Sequence, residues 1–265
     1  MPSINKMNMM VSSDGGLNRG NVYRLAAMAV GWLLSSAALA VTISPVKVEL
    51  SRAHPVVTIT VTNDADLPLT LQNQVLAWTQ VDGEDHLEES TDLLVAPAIA
   101  EIEPRGTQIF RVTQRRPTVA VAERAYRLVL DDISATTARQ SEVDGVNFVF
   151  SHRLPVFAAG TGKIGPKPHL EKCPHSAEAG CVRLQNNGDQ YVQVRSLIVT
   201  GRNWQEKLAA GNRILAGAWK QWTFTVPPES AGRLTITGET SAGPVSFELP
   251  NPGPLPTGSA SHAPR

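Results

Sequence analysis

Cys173 and Cys181 are the only two cysteines in the 265-residue chain, and with His169 and His175 they spell H-x3-C-x-H-x5-C. Two chemistries are open to such a set. Thiolates and imidazoles can hold zinc, although this spacing matches none of the common fingers. Two cysteines closing a short loop, Pro174 to Gly180, can instead pair as a disulfide in an oxidising compartment. A reactive thiol pair would be spaced C-x-x-C. The expectation is a bridge that staples a hairpin and does no chemistry. Other reactive groups are sparse. Asp131-Asp132 is a paired carboxylate at the end of an apolar run, and the six histidines are scattered. There is no G-x-S-x-G, no H-E-x-x-H and no glycine loop of the kind that cradles phosphate. The residue types point to no enzyme, no cofactor and no metal.

The stretch best suited to binding is Val146 to Phe157. Its β-branched and aromatic residues are dense and no helical period fits them, which predicts a strand. Alternation puts Val146, Phe148 and Phe150 on one side, with Asn147, Val149 and Ser151 on the other. The preceding segment, Ser134 to Gly145, is polar and turn-rich. Such a row has two readings: a core strand of a β-sandwich, or a strand whose apolar side chains are offered to another polypeptide.

The amino terminus predicts export. Arg19 and Arg24 precede the apolar run from Leu25 to Leu34, and small residues follow, ending Ala38-Leu39-Ala40. That is a positive region, a short apolar region and an A-x-A cleavage signal, so residues 1–40 read as a signal peptide removed after Ala40. The run is short for a membrane span, and no membrane insertion is expected. Removing Lys6, Arg19, Arg24 and Asp14 leaves 21 basic against 23 acidic residues, a near-neutral balance that gives no reason to expect nucleic acid as a partner.

From Val41 onward the chain reads as strand after strand. Val41 to Leu50 is the first, with Pro45 placing it at an edge or at a switch between sheets. Val57, Ile59 and Val61 alternate with threonines, Leu69 to Gln80 is longer, and Asp82-Gly83 signals a tight turn. Further strands at Leu93, Gln108 and Ala125 lead to the Val146 stretch. Seven or eight short strands with regular turn signals predict an immunoglobulin-like β-sandwich over 41–158. Residues 158–168 are rich in Gly, Pro and Lys and read as a link. A second, smaller sandwich is expected over 159–250, with Asn186-Asn187-Gly188 joining two strands as a hairpin. Trp78, Trp219 and Trp222 fall in apolar alternating strands and read as core aromatics. Residues 251–265 are rich in Pro, Gly and Ser, and are expected to form a disordered tail.

Several segments in fixed order carry a resemblance. Leu94-Val-Ala-Pro97 leads to Ile102-Glu-Pro-Arg-Gly106-Thr-Gln-Ile-Phe-Arg111-Val, then to Tyr126-Arg-Leu-Val-Leu and to Arg153-Leu-Pro-Val-Phe157. Asn186-Asn-Gly-Asp and Leu215-Ala-Gly-Ala-Trp219-Lys-Gln-Trp222 follow. From Val41 to about Pro250 the chain resembles the periplasmic chaperones of chaperone–usher pili, the PapD-like family, and most of all its archaic, Csu-type branch. The resemblance implies an all-β boomerang of two immunoglobulin-like domains that caps one pilus or fimbrial subunit at a time. By donor-strand complementation the last strand of domain one fills the groove of an incomplete subunit, which then passes to an outer-membrane usher. On this implication Val146, Phe148 and Phe150 are the inserted row, worth about 5–9 kcal/mol gross.

The family also anchors the subunit's terminal carboxylate with basic residues in the cleft between domains. Lys47 matches the first-strand position. The second position falls on Pro155, which has neither charge nor N–H. Arg127, on the strand expected beside the lending strand, is the substitute, with Arg153 a weaker candidate. An apolar strand edge left open also predicts self-capping of free molecules. The competing reading is an exported two-domain adhesion or ligand-binding module, which has no need of a bulky apolar row beside a polar loop.

Overall fold

The computed structural model describes residues 41–117, 119–134, 150–174, 180–209, 211–227 and 232–249. The predicted leader, the carboxy-terminal tail, and Val146 and Phe148 lie outside them. From the amino-terminal side run β1 (Val41–Ser44), β2 (Val48–Leu50), β3 (Val56–Asn63), β4 (Leu69–Val81) and β5 (Glu84–Glu89). They are followed by β6 (Leu93–Ala96), β7 (Ile99–Ile102), β8 (Thr107–Gln114), β9 (Arg124–Asp132) and β10 (Ser151–Ala158). One sheet has the order β1-β3-β8-β6, and the facing sheet has the order β2-β10-β9-β4-β5 with β7 beside β4. Period-two patterning drives this: Ile59 and Val61 point inward to meet Phe110 and Val112, while Thr58, Thr60 and Thr62 stay outside the core. Leu128, Leu130, Leu154 and Val156 close the same core from the facing sheet.

The first predicted strand is two. Pro45 interrupts it, so that β1 pairs β3 in one sheet and β2 pairs β10, in parallel, in the other. A proline cannot donate to a ladder, and the chain changes sheets where that donor is missing. Asp82 and Gly83 have φ of 52° and 83°, and this two-residue turn joins β4 to β5 with Val81 opposite Glu84.

The second set comprises β11 (Pro168–Lys172), β12 (Cys181–Asn186), β13 (Val192–Gly201), β14 (Trp204–Ala209), β15 (Arg213–Ile214), β16 (Trp219–Thr223), β17 (Leu234–Thr240) and β18 (Gly243–Leu249). A sheet of order β11-β12-β16 covers one of order β14-β13-β17-β18, to which β15 adds beside β13. Their core is Val182, Leu184, Val194, Leu197, Ile236 and their neighbours. Cys173 and Cys181 form a disulfide that ties the β11–β12 hairpin. Both thiols are used in that bond, and among the described residues no His, Cys, Asp or Glu cluster could hold a metal ion. No helix among them is long and apolar enough to cross a membrane.

The hairpin expected at Asn186-Asn187-Gly188 is not there. β12 and β13 do not pair; they belong to opposite sheets. The reason lies in Asn186 itself. Its fully buried amide donates to the carbonyls of Gln190, Ile214 and Leu215, while its Oδ1 accepts from the N–H groups of Gly188 and Lys167. A turn that sends its first side chain inward to satisfy buried carbonyls redirects the chain across the sandwich and not back along it.

Candidate functional site

β10 is antiparallel to β9 along its whole length, and the N–H of Asp132 donates to the carbonyl of Phe150, extending the ladder one residue upstream. Its other edge is used over a shorter span. β2 pairs only with Val156, Phe157 and Ala158, so Ser151 to Leu154 have no strand on that side among the described residues. Alternation places Phe150, His152, Leu154, Val156 and Ala158 on one face. The last three belong to the first core; Phe150 is 48% exposed. The core face of β10 therefore continues past the end of its own sandwich and meets solvent as an aromatic ring.

The opposite face of the same sheet looks toward the second sandwich. Phe157 packs with Trp78, Ala125 and Leu215 in a small separate cluster, joined by Tyr191 and Ala218. Phe157 and Tyr191 stack with ring centroids 3.9 Å apart and planes 13° apart. Trp78, expected in the sandwich core, is buried in this junction. Trp219 lies at the junction too: it carries the Arg183 guanidinium 3.8 Å above its ring, and it fills the space where a side chain on Gly83 would go. Trp222 packs on the second core as expected.

Polar contacts tie this junction. Gln80 donates to the Arg213 carbonyl at 2.9 Å and to Asp85 at 2.7 Å, and accepts from the Leu215 N–H at 2.9 Å. Asp85 also receives Lys220 at 3.2 Å. Burial pushes the Asp85 carboxyl up, but the hydrogen bonds from Gln80 and Lys220 outweigh it and hold the group below its usual range. Glu123 accepts the Tyr191 N–H at 3.1 Å, and burial pushes its carboxyl up to about 7.

The basic candidates stand in one row. Arg127 is opposite Pro155, and Lys47 immediately precedes β2, where Val48 is opposite Val156. Pro155 is thus flanked by the two. Each also has a partner of its own. Lys47 donates to Glu49 at 2.6 Å and to the Tyr191 hydroxyl at 3.3 Å, and the Glu49 hydrogen bond raises its pKa. Arg127 lies 3.7 Å above the Trp78 ring, where burial, and then the like charges of Arg213 and Arg153, lower its pKa. Arg153 is exposed on the same face. Glu49 could have been found from its place two residues after Lys47 on a strand. Tyr191, Gln80, Glu123 and Arg213 carry no local signal, because their contacts cross between the two sandwiches.

Residues 40–162 match the family described as pili and flagellar-assembly chaperone, PapD N-terminal domain. The matched span runs from β1 to just past β10. Solved chaperone structures share the two-sandwich fold over about four fifths of this chain. A chain of the CsuC–CsuE chaperone–tip adhesion subunit pre-assembly complex from archaic Csu pili of Acinetobacter baumannii superposes with a TM-score of 0.59 at 18% identity, over 79% of this chain and 97% of that one. The complex of SafA pilin with the SafB chaperone from Salmonella enterica gives 0.57 at 13%, over 81% and 99%. The E. coli chaperone DraB gives 0.55 at 15%, over 80% and 98%. No curated protein sequence matches the chain.

Proposed function

We propose that this chain is a periplasmic chaperone that takes up a pilus subunit along the open edge of β10 and passes it to an outer-membrane usher. The observation that carries this is the edge itself: among the described residues no strand pairs with one side of Ser151 to Leu154, and the core face of β10 ends in an exposed Phe150. An incomplete sandwich pairs with such an edge through main-chain bonds and accepts alternate side chains in its groove. Val146, Phe148 and Phe150 are the inserted row. The similar structures include chaperones captured with a pilin or a tip adhesion subunit, which supports the same role. Residues 41–158 then act as the lending domain and 159–250 as its companion, after export and cleavage following Ala40.

The row around Pro155 supports a terminal-carboxylate anchor. β2 occupies the edge of β10 from Val156 on, and Pro155 has no N–H to offer, so a visiting strand ends beside Lys47, with Arg127 across Pro155 on the far side of β10. Positive charge there selects a chain end that is negative. Co-expression with an archaic-type pilus subunit tests the reading. A one-to-one complex that rescues the subunit from degradation is expected, and Phe148→Ser/Phe150→Ser should abolish it while the protein stays folded. Recovery of the wild-type chain alone, with the subunit unstable, sinks the proposal in favour of an adhesion module.

A further inference from the structure

The corner where β8 ends and β9 begins combines unpaired cations with exposed aliphatic side chains. Arg115, Arg116 and Arg124, with Gln114, line a polar cleft of about 460 Å³. A second cleft shares Gln114 and Pro117 with it and brings in Arg52. Arg52, Arg115 and Arg116 are exposed, and none of them makes an ion pair among the described residues. The acidic groups of the corner are engaged. Asp92 also lines the first cleft, but it accepts the Tyr126 hydroxyl at 3.0 Å and Arg124 at 3.4 Å. Asp189 accepts the N–H groups of Ile164 and Gly165. Val119 lines the same cleft and is 86% exposed, and Val121 is 65% exposed. The carbonyls of Ala120 and Val121 accept the N–H groups of Thr161 and Gly162. That ties the loop to the segment carrying Lys163, Ile164 and Lys167, all three exposed.

We propose that this corner docks peripherally on an anionic phospholipid bilayer, with the arginine cleft receiving a headgroup phosphate and Val119, Val121 and Ile164 resting against the acyl boundary. The chemistry selects that occupant. A guanidinium matches phosphate oxygens with its planar fork of donors, and basic side chains close to a bilayer are drawn to its negative surface. A protein partner would offer side chains to be received in apolar pockets. Here the aliphatic side chains stand out from the surface instead, as they do in segments that settle into a headgroup layer. Single exposed aliphatic residues are ordinary, but three on two tied segments, among Arg52, Arg115, Arg116, Lys163 and Lys167, are grouped. The contact leaves the subunit edge free. Along the β9–β10 ladder Arg124 is opposite Ala158 and Asp131 is opposite Ser151, so the corner and Phe150 lie at opposite ends, about 24 Å of strand apart. Docking therefore does not rest on the subunit-binding reading, and no part of the fold has to span the bilayer.

The test uses the exported chain, purified after removal of its leader, and vesicles of phosphatidylcholine with or without about 30% phosphatidylglycerol. The parent should float with the anionic vesicles and not with the neutral ones, and should come off as salt rises toward about 0.5 M. Arg115→Gln/Arg116→Gln should weaken that binding about twenty-fivefold, roughly fivefold for each charge, whereas Arg115→Lys/Arg116→Lys should retain most of it. Val119→Ser should weaken it about fivefold and leave the salt dependence as in the parent. All three positions are exposed, so the variants should melt with the parent. Equal affinity for the two vesicle compositions overturns the proposal, as does full binding by Arg115→Gln/Arg116→Gln. Unchanged binding by Val119→Ser would reduce the contact to charge alone and overturn the docking mode. Inorganic phosphate and a polyglutamate peptide serve as further probes. Saturable binding of either by a parent that ignores anionic vesicles would assign the cleft to a small anion or an acidic peptide, and so overturn the bilayer as occupant. Subunit capture should stay at the parent's level in Arg115→Gln/Arg116→Gln, which keeps failure here distinct from failure of the subunit-binding reading.

Discussion

Asn63 and Asn186 make the same knot, one in each sandwich. Each ends a strand and is buried, at 1% and 0% exposure. Each amide donates to the carbonyl four residues on, Leu67 or Gln190, and to two consecutive carbonyls of a distant strand end, Ile102 and Glu103 or Ile214 and Leu215. Each Oδ1 accepts from the N–H two residues on, Ala65 or Gly188. The two sandwiches thus turn the same corner with the same side chain, although the flanking sequences, Asn63-Asp-Ala-Asp-Leu67 and Asn186-Asn-Gly-Asp-Gln190, share little else.

Removing either amide strands several buried carbonyls. Asn63→Ala and Asn186→Ala should each cost about 2–4 kcal/mol, measured by urea unfolding. Asn→Asp at the same positions should cost at least as much, because a carboxylate cannot donate to a carbonyl. A loss under about 0.5 kcal/mol would show that water replaces the amide and that the corner needs no knot.

The stack of Phe157 on Tyr191 fastens one sandwich to the other, so its loss should be felt in both. Phe157→Ala should destabilise the protein by about 3–4 kcal/mol, since it also uncovers Trp78. Tyr191→Phe keeps the ring and drops only the hydroxyl that Lys47 reaches at 3.3 Å. It should stay within about 0.5 kcal/mol of the parent. Two separate unfolding transitions in Phe157→Ala, where the parent shows one, would be the clearest sign of uncoupling.

Glu123 makes stability depend on pH. Its carboxyl sits near 7 when folded, chiefly through burial, with Glu49 and Asp189 adding to the rise and Lys47 opposing it, against an ordinary 4.5 when unfolded. Between those values the folded state binds the extra proton, so this group favours folding most below pH 4.5. That advantage is lost as pH rises to about 7. Glu123→Gln keeps an acceptor for the Tyr191 N–H and cannot ionise. It should raise stability at pH 8 by about 2 kcal/mol, after allowance for partial exposure, and flatten the slope between pH 5 and 7. Parallel pH profiles for parent and variant would mean that the carboxyl is solvated after all.

Phe150 should separate folding from binding. An exposed ring contributes little to its own sandwich, so Phe150→Ser should leave the melting temperature within a degree or two. Subunit capture in co-expression should fall sharply at the same time. A marked drop in melting temperature would place the ring in the core and return β10 to the role of an ordinary core strand.

Much of the architecture was legible because it is local. Alternating Val, Ile and Thr in β3, the Asp82-Gly83 turn and the paired cysteines each state their structure within a few residues. Pro45 announced a break, and the missing N–H explains why that break became a change of sheet. The turn at Asn186 misled, because a hairpin and a cross-sandwich corner use the same residue types; what separates them is whether the Asn side chain meets carbonyls from residues 214 and 215. Of the candidate site, the places of Phe150 and Arg127 were readable from strand order and parity. Arg213, Gln80 and Tyr191 were not, since nothing in their own surroundings tells that another sandwich lies against them.

Pro155 has one more effect. On the proposed function a visiting strand is measured from a fixed end stop, so its first paired residue, and with it every later one, is assigned to a face before any side chain is compared. Slippage by a single position would turn the visitor's apolar residues outward. Selection among candidate strands is then a matter of length and parity counted back from their own ends, a ruler built from one imino acid and the short strand β2 that begins beside it.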